Sequence, residues 1–292
     1  MKPAPFEYYA PVSIEQALEL MGQYSEEAKI LAGGQSLVPA MNFRVAQPGI
    51  LIDLNRVAEL SYIREENNVI RVGAMARERH LEFDPSIEKQ TPLLHEAVPF
   101  IAHPQIRNRG TIGGSIVNAD PAAELPVLML ALNARLKAQS VSGERWIDAQ
   151  DFFAGMFTTA LEPGEILTEI ELPFMPPHTG WSFMEVAPRV GDYALMGVAA
   201  LVTLNENGKC TRAKLVYLNA GDGPMDAKET ARSLEGETLE DPLIQSAAAF
   251  ASGKEINPFG NVHTSPEFQR HLAKVLTQKA LTQATQRAGE RQ

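Results

Sequence analysis

The order of apolar and polar positions predicts many short strands and helices rather than a few long ones. Over residues 14–23 the apolar side chains fall at the i, i+3, i+4 and i+7 positions from Ile14 to Met21, which is the spacing of one buried helix face. Ser13 stands where an N-cap is expected, and Gln16 follows three residues later, as in a capping box. We therefore expect a helix over about 14–23.

Further elements follow at short intervals. Short apolar runs between turn residues are typical of strands, and longer apolar stretches broken by proline are typical of short helices. The residues at 66–68 are typical of a hairpin turn. On this basis we expect strands at 29–31, 50–54, 62–64 and 69–73, a strand pair from 134 to 146 around Ser142 and Gly143, and helices at 86–101 (broken at Pro92 and Pro99) and 122–132.

A run of prolines divides the chain. Pro173, Pro176 and Pro177 lie within five residues, and such a run cannot be the middle of a helix or of a central strand. We therefore expect a domain boundary at 173–178. Beyond it the pattern predicts an α+β unit, with strands at 183–187, 197–204 and 214–219 and helices at about 226–235, 240–252 and 266–287.

The composition excludes several classes of function. Lys plus Arg number 26 and Asp plus Glu number 36, so the net charge is −10, and no basic run could hold a nucleic acid or an anionic membrane. The single cysteine, Cys210, excludes an internal disulfide and a cysteine-ligated iron–sulfur cluster, and the six histidines have no metal-site spacing. With no signal-peptide pattern and no bilayer-spanning stretch, we expect a cytoplasmic protein.

Two pairs of adjacent glycines are the candidate ligand-binding segments. Neither GxGxxG nor GxxxxGK[ST] occurs, so a Rossmann site and a P-loop are unsupported. The pairs stand in Ala32–Ser36 (AGGQS), the first glycine segment, and in Thr111–Ser115 (TIGGS), the second glycine segment. Adjacent glycines let backbone amides lie against a ligand, and successive N–H groups in such bends can bind an anion. Either segment could therefore bind a diphosphate through amides and hydroxyls.

Simpler interpretations stay open at this point. A glycine pair is common in tight turns that bind nothing. Asp120 and Glu124, four residues apart at a predicted helix start, can simply complement the helix dipole. Tyr193 can be an ordinary half-buried aromatic residue. No carboxylate is paired with a histidine in a way that indicates acid–base or nucleophilic catalysis.

Three longer stretches resemble one known family. Residues 29–44 (KILAGGQSLVPAMNFR) and 105–126 (QIRNRGTIGGSIVNADPAAELP) resemble the two FAD-diphosphate segments of the medium subunits of molybdenum hydroxylases, the family of aerobic carbon monoxide dehydrogenase and xanthine dehydrogenase. Residues 187–195 (APRVGDYAL) are similar to the segment that brings a side chain against the isoalloxazine ring. The second stretch is long and specific, and the likeness covers essentially the whole chain.

The resemblance implies a fold and a division of the chain. It implies an α+β architecture, with a vanillyl-alcohol-oxidase-type (PCMH) FAD-binding domain over 1–177 in two subdomains of about 1–56 and 57–177. A C-terminal domain over 178–292 would hold a three-stranded sheet with helices. The two glycine segments, far apart in sequence, would then converge on one diphosphate and hold it by their amides.

The resemblance also implies a set of cofactor contacts. Tyr193 would stack on the isoalloxazine with Asp192 near its rim, and Glu124 would lie toward the adenosine. Position 115 is Ser where Asn is usual, and position 35 is Gln where some members have His. The implied contacts are Ala32, Gly33, Gly34, Gln35, Ser36, Ile101, Thr111, Ile112, Gly113, Gly114, Ser115, Asn118, Asp120, Glu124, Leu167, Asp192 and Tyr193, with no catalytic residue and no metal ligand.

The function implied is that of an electron-transfer subunit of an oxidoreductase. A large subunit would hold the molybdenum cofactor, a small subunit two [2Fe–2S] clusters, and FAD on this chain would pass their electrons to an external acceptor. We expect a heterotrimer that pairs into a dimer of heterotrimers. Two alternatives stay open: a free-standing FAD-dependent oxidoreductase of the same fold, and a scaffold that has lost its flavin.

Overall fold

The structure, a computed structural model, describes residues 2–290. The strands are β1 Glu7–Tyr9, β2 Ala28–Leu31, β3 Ile50–Asp53, β4 Ile63–Glu66, β5 Val69–Gly73, β6 Arg135–Ser140, β7 Gly143–Asp148, β8 Phe153–Gly155, β9 Thr158–Thr159, β10 Ile166–Pro173, β11 Thr179–Val186, β12 Met196–Leu204, β13 Cys210–Leu218 and β14 Met225–Asp226. The α-helices are α1 Ile14–Tyr24, α2 Leu37–Asn42, α3 Glu78–Phe83, α4 Pro85–Gln90, α5 Pro92–Ala97, α6 Pro104–Arg107, α7 Ile112–Asn118, α8 Glu124–Ala131, α9 Ala149–Phe152, α10 Lys228–Leu234, α11 Asp241–Phe250 and α12 Pro266–Glu290.

The N-terminal part is a small parallel sheet in the order β1-β3-β2. Helix α1 packs on it through Ala17, which is fully buried, and begins as expected at Ser13, whose side chain accepts a hydrogen bond from the Gln16 amide. Strand β2 leads directly into the first glycine segment. This sheet therefore places that segment at the carboxyl end of one of its strands.

The second sheet is antiparallel, in the order β4-β5-β10-β6-β7. Its first hairpin turns at Asn67 and Asn68, both with positive φ, as the sequence predicts. The central strand β10 was not predicted, because it carries Glu169 and Glu171 in an apolar run. Both glutamates are buried and form ion pairs with the Arg71 guanidinium, at 2.7 Å to Glu169 Oε1 and 2.9 Å to Glu171 Oε2. The sequence of the strand is therefore partly charged although the strand is buried.

The C-terminal sheet has four strands, in the order β11-β12-β13-β14. The prediction of a three-stranded sheet is therefore wrong, because a fourth strand is present. The missed strand, Met225–Asp226, has two residues and pairs with Val216 and Tyr217 of β13. Two residues are too few to show an alternating pattern. The three expected helices are present as α10, α11 and α12, and α12 covers one face of the sheet.

The other face of the C-terminal sheet packs on helix α8. Every residue of α8 is buried, and the core around it combines side chains of the second sheet with Phe183, Ala199 and Val216 of the C-terminal sheet. Helix α8 follows the second glycine segment and the residues 118–124. The packing of α8 between two sheets therefore fixes where that segment and those residues lie.

Candidate functional site

The two glycine segments lie side by side. A Cβ built on Gly33 would lie 2.8 Å from Gly110 Cα and would overlap the carbonyl oxygen of Arg109. A Cβ built on Gly114 would lie 3.4 Å from Ala32 Cβ. The expected convergence of the two segments is therefore confirmed, and at Gly33 this close approach requires a residue without a side chain.

In the first glycine segment, the backbone carbonyls of Ala32 and Gly33 accept hydrogen bonds, whereas the backbone N–H groups of residues 33–36 donate none in the described part of the chain. Gln35 Nε2 donates to the Gly33 carbonyl at 2.9 Å, and Asn55 Nδ2 donates to the Ala32 carbonyl at 2.8 Å. The N–H groups of residues 33–36 donate no hydrogen bond to any acceptor within residues 2–290. Gly34 has a φ of +74°, which glycine adopts without strain. Successive unpaired amides around a bend of this kind can bind an anion.

The second glycine segment is the first turn of helix α7, not a loop. Its amides have acceptors inside the protein: Ile112 and Gly113 donate to the carbonyls of Ala76 and Ala74, and Gly114 and Ser115 donate to the side chain and the carbonyl of Thr111. The expectation that this segment binds a diphosphate mainly through amides is therefore corrected. Thr111 is buried and its hydroxyl oxygen accepts from the Gly114 amide, so the side-chain polar group that the segment leaves unbonded within residues 2–290 is the hydroxyl of Ser115.

Gly113 joins α7 to the second sheet. A Cβ at Gly113 would lie 2.6 Å from Ala74 Cβ and 2.7 Å from the Ala74 carbonyl oxygen. The Ala74 amide in turn donates to the Thr168 carbonyl, next to Leu167 in β10. Leu167 and Ile101 are both buried. These two predicted apolar contacts thus lie in the core beside the segment rather than on its surface.

The third predicted stretch packs against the residues after Ile101. Gly191 has a φ of +86°, and a Cβ there would overlap the His103 ring. Asn219, at the end of β13, donates its amide to the Pro121 carbonyl at 2.7 Å and its side chain to the Ala194 carbonyl at 2.8 Å. Asn219 thus ties the third stretch to the residues that follow α7. Just before Ala194 in the chain, Asp192 is exposed and Tyr193 is 69% exposed.

Three carboxyl groups lie in electrostatic range of Glu124, which is 8% exposed at the start of α8. Burial raises the pKa of Glu124 to about 7, and repulsion from Asp120 adds to this. Burial, followed by repulsion from Glu124, raises the pKa of Glu78 and of Glu185 to about 8 each. Burial also raises the pKa of Asp120. The pKa of Tyr193 is raised by burial and then by the charges of Asp120 and Glu124.

The Arg77 guanidinium lies next to the first glycine segment, and the Arg109 guanidinium is in electrostatic range of Arg77. The Arg77 guanidinium donates hydrogen bonds to the Arg109 carbonyl and, at 2.6 Å, to Asn55 Oδ1. Asn55 in turn donates its Nδ2 to the Ala32 carbonyl. Neither Arg77 nor Arg109 forms an ion pair within residues 2–290. Burial lowers the pKa of Arg77, and repulsion from Arg109 lowers it further. This arrangement is compatible with an anion nearby.

Sequence reasoning missed several residues of this region. Asn55, Arg77, Glu78, Glu185 and Asn219 were not singled out. No short motif identifies any of them, because each comes close to the glycine segments only through the fold. Arg109 differs from these, because it lies two residues before the second glycine segment in the sequence.

The chain is similar over its whole length to known flavoproteins. Residues 4–175 match the family described as the FAD binding domain in molybdopterin dehydrogenase, and residues 181–284 match the CO dehydrogenase flavoprotein C-terminal domain. Subunit alpha of the 6-hydroxypseudooxynicotine dehydrogenase complex of Paenarthrobacter nicotinovorans is 42% identical, over 99% of this chain and 97% of that protein. The carbon monoxide dehydrogenase medium chain of Afipia carboxidovorans is 35% identical, over 99% of each chain.

A solved structure agrees with these sequence matches. Carbon monoxide dehydrogenase from Hydrogenophaga pseudoflava superimposes with a TM-score of 0.95 at 36% identity, over 98% of this chain and 99% of that one. The fold and the glycine segments thus define a flavoprotein component of an oxidoreductase. The chain belongs to the family of FAD-binding medium subunits of molybdenum hydroxylases. Across residues 2–290, no helix combines the length and the apolar character needed to cross a membrane.

Proposed function

We propose that this chain carries FAD as the electron-transfer subunit of a molybdenum hydroxylase complex, between [2Fe–2S] clusters on a partner and an external electron acceptor. The observation that carries the proposal is the contact of Gly33 with Gly110, which brings the unpaired amides of the first glycine segment next to the start of the second. Bound FAD supplies a centre that accepts electrons singly and gives up two.

The residues present fit the diphosphate of FAD. The amides of residues 33–36 would bind its oxygens, helped by the hydroxyls of Ser36 and Ser115, while Thr111 would hold the start of α7 in place beside them. Arg77 and Arg109 would offset its charge. Gln35 would act on the loop rather than on the cofactor, since its side chain is bonded to the Gly33 carbonyl.

The remaining predicted contacts would serve the flavin ring. Tyr193 is exposed on the third stretch, where it could cover one face of the ring and exclude water from it. Asp120 and Glu124 are in electrostatic range of Tyr193. We therefore place Glu124 toward the ring and not toward the adenosine, with Asp192 and Asn118 at the ring edge and Ile101 and Leu167 as apolar support.

The clusters and the molybdenum cofactor would lie on partner subunits. The only thiol of the chain, Cys210, is fully buried, and burial raises its pKa to about 11, so it is unsuited to bind iron. We propose a large molybdopterin-binding and a small iron–sulfur partner, and a dimer of such heterotrimers. A cytoplasmic location stays a prediction from the sequence.

We also propose that the chain is divided as its sequence indicates. The ranges 1–56 and 57–177 would be the two subdomains of a vanillyl-alcohol-oxidase-type FAD-binding domain, and 178–292 the C-terminal domain. The division is supported by the sheets, because each of the three large sheets lies within one of these ranges. The large shared core around α8 makes the last two ranges one packed unit.

Isolation of the tagged chain from its native cells tests the function. We expect one FAD per chain, copurified with two other chains and with about one molybdenum and about four irons per FAD. FAD on an isolated chain that turns over a small donor by itself, without molybdenum or iron, would instead establish the free-standing oxidoreductase. A colourless chain that takes up no added FAD would establish the flavin-free scaffold and overturn the proposal.

A further inference from the structure

Glu78, the first residue of α3, has a buried carboxyl group without a hydrogen-bonding partner. The residue is 4% exposed, and its carboxylate forms no hydrogen bond or ion pair within residues 2–290. A buried carboxylate of this kind is costly, so such a group normally has a partner or holds a proton. None of the predicted cofactor contacts accounts for Glu78.

This carboxyl group lies against Gly110, the residue at which the two glycine segments come together. A Cβ at Gly110 would overlap the carboxylate oxygens of Glu78, and the Glu78 amide donates to the Gly110 carbonyl at 3.1 Å. A Cβ on Gly33 would overlap the Arg109 carbonyl oxygen and would lie 2.8 Å from Gly110 Cα. The backbone at Gly110 therefore contacts both the carboxyl group and the first glycine segment.

The neighbouring charges do not neutralise Glu78. Arg107 is in electrostatic range but is paired with Glu82 at 3.0 Å and with the Ile101 carbonyl at 2.8 Å. Arg77 is also in range, and it donates to Asn55 and to the Arg109 carbonyl. The remaining group in range, Glu124, is itself a carboxyl group and repels a second negative charge.

We propose that Glu78 is a proton-dependent gate for anion binding at the glycine segments: neutral Glu78 permits the FAD diphosphate to bind, and the Glu78 carboxylate repels it. This inference rests on the proposed FAD site. Two negative groups close to the same backbone segment repel each other, and the low dielectric of the interior strengthens that repulsion.

The direction of the pH effect follows from this geometry. Burial and then Glu124 raise the pKa of Glu78 to about 8, so the group is mostly neutral at pH 7 and mostly charged above pH 9. A bound diphosphate raises this pKa further, because it disfavours the charged form. By linkage, FAD must then bind more tightly when Glu78 holds its proton, and affinity falls as the pH rises through about 8.

The test is the affinity of the full-length flavin-free chain for FAD between about pH 7 and about pH 9.5, followed by fluorescence. We expect the wild type to lose about three- to tenfold in affinity over this range, and Glu78→Gln to lose less than about twofold while matching the wild type at neutral pH. Glu185→Gln is the matched control, since Glu185 also has a raised pKa of about 8 and an unpartnered buried oxygen. It should keep the wild-type slope.

Two further ligands show whether the charge of Glu78 acts on the diphosphate of FAD or on its flavin. ADP, which has the diphosphate without the flavin, should lose affinity with pH as FAD does, and riboflavin, which has no phosphate, should not. An FAD affinity that is flat in the wild type, or equally steep in Glu78→Gln, overturns the gate and leaves the proposed function standing. A chain that binds no FAD at any pH overturns both.

Discussion

The two glycine segments share a sequence signal but differ in their backbone hydrogen bonds. In the first, the carbonyls of Ala32 and Gly33 are held by side chains, and the amides of residues 33–36 have no acceptor within residues 2–290. In the second, the amides of residues 112–115 all have acceptors in the protein. The first segment thus leaves its amides available for the proposed diphosphate, whereas the amides of the second hold helix α7 in place.

The glycines of the two segments also serve different contacts. Gly33 approaches the backbone of the second segment, at Arg109 and Gly110, whereas Gly113 approaches Ala74 at the end of β5. The first contact joins the two glycine segments, and the second attaches a helix to the residue that follows β5. A glycine pair in a sequence therefore indicates close backbone approach, but it does not say whether a ligand or another part of the protein approaches.

The largest expected effect is that of Gly113→Val, which adds a side chain where the nearest atoms are Ala74 Cβ at 2.6 Å and its carbonyl oxygen at 2.7 Å. Since the obstacle is backbone, α7 has to separate from the sheet. We expect the free energy of unfolding to fall by about 3 kcal/mol or more, measured by denaturant unfolding of the flavin-free chain. Gly49→Val, at an exposed site whose nearest atom is 3.9 Å away, is the control. Equal stability of the two variants would contradict the packing role of Gly113.

Gly33→Val is expected to lower the free energy of unfolding less than Gly113→Val does, but to weaken FAD binding strongly. Here the added side chain meets the Arg109 carbonyl and Gly110, and because Gly33 and Gly110 are both buried, the two segments have to move apart. We expect FAD affinity to fall by about 100-fold or more and the free energy of unfolding to fall by about 1–2 kcal/mol, less than for Gly113→Val because no helix has to separate from a sheet. Titration with FAD and denaturant unfolding measure both. Normal flavin content in Gly33→Val would show that the junction is not part of the site.

Much of the fold could be predicted from local signals. The cap at Ser13, the asparagine hairpin at 67–68 and the proline break before β11 each depend on residues adjacent in sequence, and each is present in the structure. Strand β10 could not be predicted in this way, because its buried glutamates are neutralised by Arg71, a residue about 100 positions away.

The same distinction applies to the site. The two glycine segments could be found from their glycine pairs, whereas the third stretch and the convergence of the two segments followed from likeness to a family. Some of the acceptors for the amides of the second segment belong to Ala74 and Ala76, and four short helices, α3 to α6, lie between these alanines and the segment in the sequence. Whether an amide is free is decided by such distant partners, so no local motif could have predicted it.

The smallest expected effects are those of substitutions at Ser36 and Ser115, one serine in each glycine segment. Neither hydroxyl forms a hydrogen bond within residues 2–290. If the first segment binds mainly by amides, Ser36→Ala should weaken FAD binding by no more than about threefold. If the second binds mainly by the Ser115 hydroxyl, Ser115→Ala should weaken it by about tenfold, since a hydrogen bond to a charged group contributes about 1.5 kcal/mol or more.

Ser115→Asn completes this comparison, because it restores a donor of different length at the position where the family usually has asparagine. We expect it to bind FAD within about threefold of the wild type, while unfolding of all three serine variants stays within about 0.5 kcal/mol. FAD titration of the flavin-free proteins measures the series. A larger loss for Ser36→Ala than for Ser115→Ala would reverse the roles assigned to the two segments, because it would mean that the first segment depends on its side chain and the second does not.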